Sequence, residues 1–270
     1  MIDKILEEIV REQVPDKEVA VLLSGGTDSL SLALTAHRFG KKVHAYTFHL
    51  EGNETYDAKK ANDTSTKMGW ECTTVVVPSI ITDKDFFTLK NIWKCVKKTH
   101  YECTYPFIYI YPKIEEKYIL SGIAADGHYG VSKRACMHFK QPKSLFDTFR
   151  EDYFGQENPA GLLQQQFLSL NHSKYFIAPY LEQTVLDFFR QYDWFELNKP
   201  FQKHHVIESF PEFQQIGRPK AHINLQLGAN VDKAFEKLLE SDIINFKKRK
   251  RMLDVYRDWK THEQVRTLFD

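Results

Sequence analysis

The sequence predicts an α/β fold: a parallel, doubly wound sheet with flanking helices, followed by a mostly helical C-terminal annex. Three observations carry this. Short apolar runs rich in β-branched residues alternate with helical patterns through the first half of the chain, the pattern of right-handed crossovers between parallel strands. Two of these runs end in loops of small residues that each hold an aspartate, at 24–29 and 121–127. From about Lys133 the strand alternation stops and helical, aromatic-rich patterns take over. The expected division is a core over 1–132 and a helical part over 133–270, packed on the core as one unit.

Each element follows from its spacing. Ile2, Ile5, Leu6, Ile9 and Val10 fall at helical intervals, so 2–13 reads as an amphipathic helix. Residues 19–23 form the first strand. The helix after it, 28–39, sets Leu30 and Leu34 on one face beside Ala33 and Ala36. A second strand is expected over 43–50, a helix over 55–68 with Ala58, Ala61 and Met68 in line, and a third strand over 72–77 closed by Pro78. Phe86, Leu89, Trp93 and Val96 predict a continuous helix over 83–98. The aromatic stretch 101–111 reads as core packing with a helix start at Pro106, in preference to a substrate platform. Residues 118–120 are the fourth strand, and no further strand is expected after it.

Composition bounds the function. In 270 residues, 42% hydrophobic content supplies a core, and a net charge of +1 gives no global argument for nucleic acid or a membrane surface. No apolar run approaches a membrane span. The first residues lack the basic start and apolar centre of a secretory signal, so a cytoplasmic location is expected. Cys72, Cys95, Cys103 and Cys136 form neither a CxxC pair nor a zinc spacing, and read as reduced structural thiols. The basic run at 247–251 lies in a helical pattern with Met252, Tyr256 and Trp259, and reads as a solvated helix face in preference to a nucleic-acid contact.

The chemistry concentrates in the loops. Leu23 ends the first strand, and Ser24, Gly25, Gly26, Thr27, Asp28 and Ser29 lead into a helix. Such a turn points backbone N–H groups and the positive end of the helix dipole at a phosphate. The Lys of a Walker A loop is missing and an Asp takes its place. A carboxylate beside phosphates requires a cation between them, and Mg²⁺ accepts one or two carboxylates together with phosphate oxygens. Ser121, Gly122 and Asp126 repeat the theme after another strand. In open parallel sheets ligands bind beyond the carboxyl ends of the strands, where both loops lie.

SGGTDS resembles the PP-loop of the N-type ATP pyrophosphatases, and with both loops the chain resembles the synthetase domain of asparagine synthetase over about 15–215. It is more loosely similar to β-lactam synthetase. Thr47-Phe48-His49-Leu50, the helix beginning near Thr55, Pro179-Tyr180-Leu181-Glu182 and Lys203-His204-His205-Val206-Ile207 match successive segments of that domain. The resemblance implies that ATP and Mg²⁺ bind, that Leu23 and Leu50 border the nucleotide, and that Ser24 to Ser29, Ser121 and Gly122 hold its phosphates. Asp28 and Asp126 would hold Mg²⁺ on the pyrophosphate, and Lys203 would stabilise charge at the reacting centre. The implied reaction joins a small-molecule carboxylate to ammonia or an amine through an acyl-adenylate. His204 and His205 read as packing or solvent residues.

Departures from the family pattern are as specific. Its SGxGxDE loop carries two acidic residues that are Ile123 and Gly127 here, which leaves aspartate amidation open, and the arginine before its PFLD segment is Ile177. Residue 2 is Ile2, where a glutaminase would expose its cysteine nucleophile, so nitrogen is expected from free ammonia, an amine or a separate donor protein. Two other readings stand beside the ligase: adenylation of a tRNA base or nucleobase precursor, and a nucleotide-binding protein without turnover.

Overall fold

The computed structural model describes residues 1–130, 142–217 and 224–240. Five strands form one sheet: β1 (Glu18–Leu22), β2 (Lys42–Leu50), β3 (Glu71–Val77), β4 (Tyr118–Leu120) and β5 (Tyr175–Ile177). Their spatial order is β3-β2-β1-β4-β5, and every pair is parallel. This is the α/β architecture the alternating pattern predicts. β1 lies at the centre, with Ala20 opposite both His44 of β2 and Ile119 of β4.

Side chains alternate across β1, as the two-residue period of a strand requires. Val19 and Val21 face one apolar cluster, which takes in α1 (Ile2–Gln13), α2 (Thr27–Arg38) and Ala61 of α3 (Tyr56–Met68), together with Phe146, Phe189, Val206 and Phe213 from later helices. Ala20 and Leu22 face the other, which holds Phe86, Leu89, Tyr101, Tyr105, Tyr111 and Phe235. Both faces are covered, which is why β1 reads as a continuous apolar run. The buried Tyr101, Tyr105 and Tyr111 fill this second core, in line with the packing reading of the aromatic stretch. α3 starts where Thr55 accepts a hydrogen bond from the Ala58 N–H and stops at Gly69, φ 68°.

Two elements differ from the sequence reading. The helix expected over 83–98 is broken. A helix Asp83–Phe87, opened by a Thr82–Asp85 capping box, runs into a π-helical turn, Thr88–Ile92. Lys94 then takes a left-handed conformation, φ 54°, and the Cys95 N–H turns back to the Leu89 carbonyl at 2.9 Å. That is how helices end, but a lysine in place of the usual glycine gives no sequence signal. Leu89 and Trp93 stay buried, whereas Val96, past the break, is 43% exposed. The second difference is β5, where no strand is expected. It pairs with β4 in the register Tyr118↔Tyr175 to Leu120↔Ile177. Three residues are too few to show a period. What holds this edge is partly Lys117, whose ammonium lies over the stacked rings of Tyr118 and Tyr175.

Among the described residues no helix is long and apolar enough to cross a membrane, and Cys72, Cys95 and Cys103 are free thiols. Cys136, the basic run at 247–251 and the residues Met252, Tyr256 and Trp259 lie outside the described residues.

Candidate functional site

The first loop is built by β1 and α2. The Leu23 N–H donates to the Tyr46 carbonyl of β2 at 2.8 Å, the last ladder bond before the chain turns. Gly25 adopts φ +70°, and a Cβ there would lie 2.8 Å from Cγ and 2.9 Å from Cβ of Lys60. Only glycine satisfies both the dihedral and the space. Ser29 fixes the loop from within: its Oγ accepts from the Ser24 N–H at 3.2 Å and donates to the Gly26 carbonyl at 3.2 Å. Gly26 caps α2 without a side-chain acceptor, so the N–H groups of the first turn of a twelve-residue helix are not taken up by a cap.

The second loop leaves β4 with the Ser121 N–H bonded to the Ile177 carbonyl of β5 at 3.0 Å. It passes directly against the first loop. A Cβ on Gly122 would come within 3.0 Å of Asp28 C, Asp28 Cβ and the Ser29 nitrogen. Asp126 then opens a short helix, Asp126–Tyr129.

Lys203 joins the two. It precedes the helix His204–Ser209 in a left-handed conformation, φ 63°. Its Nζ donates to Asp28 Oδ2 at 2.5 Å and to Asp126 Oδ1 at 2.8 Å. The Lys203 side chain is 7% exposed, Asp28 16% and Asp126 40%. Burial opposes the ammonium charge, but Asp126 and then Asp28 outweigh it, so the lysine is held above its ordinary pKa. The Tyr129 ring lies beneath, its centre 5.0 Å from Nζ. Three charged residues from remote parts of the chain therefore meet at the carboxyl end of the sheet.

Leu23 and Leu50 lie at the carboxyl ends of the neighbouring strands β1 and β2. Both are buried, Leu23 in the cluster under α2 and Leu50 in the cluster on the opposite face. His204 Nε2 bonds to the Glu196 carbonyl, and His205 stacks near Tyr192.

The Pro179–Leu181 segment and residues that sequence reasoning missed complete the surroundings. Tyr180, from the Pro179–Leu181 turn, sits 2.8 Å from Ser31 Oγ, and Ser31 in turn donates to the Asp28 carbonyl at 2.8 Å. His128, beside the second loop, donates from Nε2 to the Tyr180 carbonyl at 2.8 Å; burial pushes its pKa down to about 3, so it is neutral. This chain of contacts ties both loops to the Pro179–Leu181 segment. Tyr153 packs its ring over Gly127: a Cβ there would lie 2.3 Å from Tyr153 Cδ1 and Cε1. The one sequence signal for Tyr153 is indirect, a glycine where the family pattern has an acid. Lys60 lays its stem against Gly25 and donates from Nζ to the Ile216 carbonyl at 2.6 Å.

The arrangement suits a divalent cation bound with phosphates. Two carboxylates from two loops converge on one positive group, the Lys203 ammonium. Among the described residues there is no group of three or more His, Cys, Asp and Glu that could hold a metal unaided. A site of two carboxylates completed by phosphate oxygens is the donor set that Mg²⁺ prefers.

The profile described as asparagine synthase matches residues 1–218. The chain belongs to the asparagine synthase family. That membership makes it an ATP-using enzyme, and the matched span holds both loops and Lys203. No curated protein matches the chain. Among solved structures, a predicted subunit of tRNA methyltransferase from Methanocaldococcus jannaschii is 17% identical, with TM-score 0.34, over 64% of this chain and 75% of that one. NMN synthetase from Francisella tularensis is 15% identical, with TM-score 0.35, over 70% of this chain and 90% of that one.

Proposed function

We propose that this protein is an ATP-dependent, AMP-forming carbon–nitrogen ligase. A substrate carboxylate oxygen attacks the α-phosphorus of ATP, the α–β anhydride bond breaks, and pyrophosphate leaves. The nitrogen of ammonia or an amine then attacks the acyl carbon, loses a proton, and displaces AMP to give an amide. The observation that carries this reading is the Lys203 ammonium held between the carboxylates of both glycine-containing loops.

Backbone N–H groups at the start of α2 bind phosphate oxygens, with the Ser24–Ser29 hydrogen bonds fixing the shape of the loop. Asp28 and Asp126 would hold Mg²⁺, which would supply positive charge to neutralise the pyrophosphate. Lys203 would stabilise negative charge on the α-phosphate and on the oxyanion of the acyl centre. Ile123 and Gly127 stand where the family pattern has acids, with the Tyr153 ring packed over Gly127, which favours a carboxylate substrate other than aspartate. The nitrogen comes from free ammonia, a small amine or a separate donor protein.

The test is release of pyrophosphate and AMP from ATP across pooled carboxylic acids with ammonium, wild type beside Asp28→Ala. Release that requires one acid pool and is lost in the variant is the expected result. ATP turnover that ignores every acid and every amine would contradict the ligase.

A further inference from the structure

The connection between β3 and β4 and the turn before the helix Leu162–Asn171 enclose a cleft lined by Lys94, Val96, Lys97, His100, Gln164 and Phe167, with Glu157, Asn158 and Leu163 completing the wall. Its polar centre is His100. The residue is 3% exposed, and among the described residues neither Nδ1 nor Nε2 has a hydrogen-bond partner. Leaving a buried polar group unmet costs about 1–3 kcal/mol, so folds seldom keep one without a use. Burial lowers its pKa to about 4. The neutral ring therefore offers one donor and one acceptor.

The other polar groups of the wall are committed to one another. Gln164 Nε2 donates to the Lys94 carbonyl at 3.1 Å, Asn158 Nδ2 donates to Gln164 Oε1 at 2.9 Å, and the Leu163 N–H donates to Asn158 Oδ1 at 2.9 Å. These bonds hold the shape of the cleft and leave the imidazole as a buried polar group of the wall without a partner among the described residues. Lys94 and Lys97 are exposed, against one lining carboxylate, Glu157. Val96 and Phe167 are 43% and 39% exposed and supply an apolar flank. The backbone is left-handed on both sides, at Lys94 (φ 54°) and Ala160 (φ 53°), and a π-helical turn precedes Lys94. Strain at non-glycine residues and π-turns both gather at binding sites.

We infer that this cleft binds a small organic anion. Its carboxylate or phosphate lies against Lys94 and Lys97, its apolar or ring-shaped body covers Val96, Leu163 and Phe167, and a polar edge meets His100. None of these residues belongs to the glycine-containing loops or to the Lys203 segment, so the inference stands independently of the ligase reading.

The test uses the full chain labelled with ¹⁵N-histidine and follows the His100 ring signals, assigned through His100→Asn. Benzoate probes a carboxylate head, AMP a phosphate head, and inorganic phosphate the charge alone. A saturable shift of the His100 signals with benzoate or AMP is expected, and whichever moves them names the head group. Lys97→Ala, an exposed change that spares the core, should weaken that binding about tenfold, as loss of one charged hydrogen bond does. Absence of a saturable His100 shift with either organic anion would overturn the inference. So would binding indifferent to Lys97→Ala and Lys94→Ala, or inorganic phosphate binding as tightly as the organic anions.

Discussion

At the residue scale, Lys203 has two partners and one charge. Asp28 and Asp126 bring two negative charges to its one positive charge. Replacing the lysine removes the positive charge on which both carboxylates converge, which destabilises the folded chain. Lys203→Met should lower stability by ~2 kcal/mol in metal-free buffer, less than for a fully enclosed pair because water reaches Asp126. Millimolar Mg²⁺ should return part of that loss, since the ion can take the place of the ammonium between the carboxylates, and should raise the urea midpoint of the wild type less. An unchanged midpoint without metal would show that the lysine contributes nothing to the empty site. The two aspartates and the lysine were legible in the sequence because each sits in a segment of distinctive composition. Tyr129, Tyr153 and Lys60 were not: a tyrosine in an aromatic-rich chain and a lysine on a helix have no spacing that marks them, and only the folded backbone shows what they touch.

At the element scale, the second loop is shaped by what packs on it. Gly127 has the Tyr153 ring at 2.3 Å and Phe154 Cζ at 2.9 Å from where a Cβ would stand. Gly127→Ala should therefore cost ~1–3 kcal/mol through overpacking. Tyr153→Ala removes the obstacle, so the double variant should be less destabilised than the sum of the singles by ~1 kcal/mol or more in a double-mutant cycle. Strict additivity would mean that the ring moves aside without consequence. The same scale shows where sequence patterns stop. Strands β1 to β4 and α1 to α3 were legible because apolar period and turn residues agree. The break after Ile92 was not, because Lys94 ends the turn without glycine or proline, and the period of Phe86, Leu89 and Trp93 runs straight through it. β5 escaped because Tyr175–Ile177 gains strand character only from its partner β4.

At the scale of the whole molecule, the buried titratable groups set how stability follows pH. His128 and His100 are held neutral, with pKa values pushed down to about 3 and about 4 by burial, from an ordinary 6.5. Between 6.5 and those values the unfolded chain binds two protons that the folded chain refuses, so acidification favours unfolding. Glu102 acts in the opposite sense. Its carboxyl is wholly buried, and burial, only partly offset by Lys98, pushes its pKa up to about 7 from 4.5. Between 4.5 and 7 the folded chain holds a proton that the unfolded chain releases, so this group adds stability that is complete below 4.5 and lost as pH rises through 7. Near pH 5.5 two protons favour unfolding and one opposes it. For these three groups the net is about one proton, or ~1 kcal/mol lost per unit of acidification, and His172 and His205, whose pKa values burial also lowers, act in the same sense. Glu102→Gln removes the opposing group without changing the shape of the side chain. The variant should match the wild type near pH 4, gain on it as pH rises, and be the more stable protein above pH 7. Urea midpoints across that range decide the matter: parallel curves for the two proteins would mean that Glu102 reaches water in the folded state, and that the second core is not closed around it.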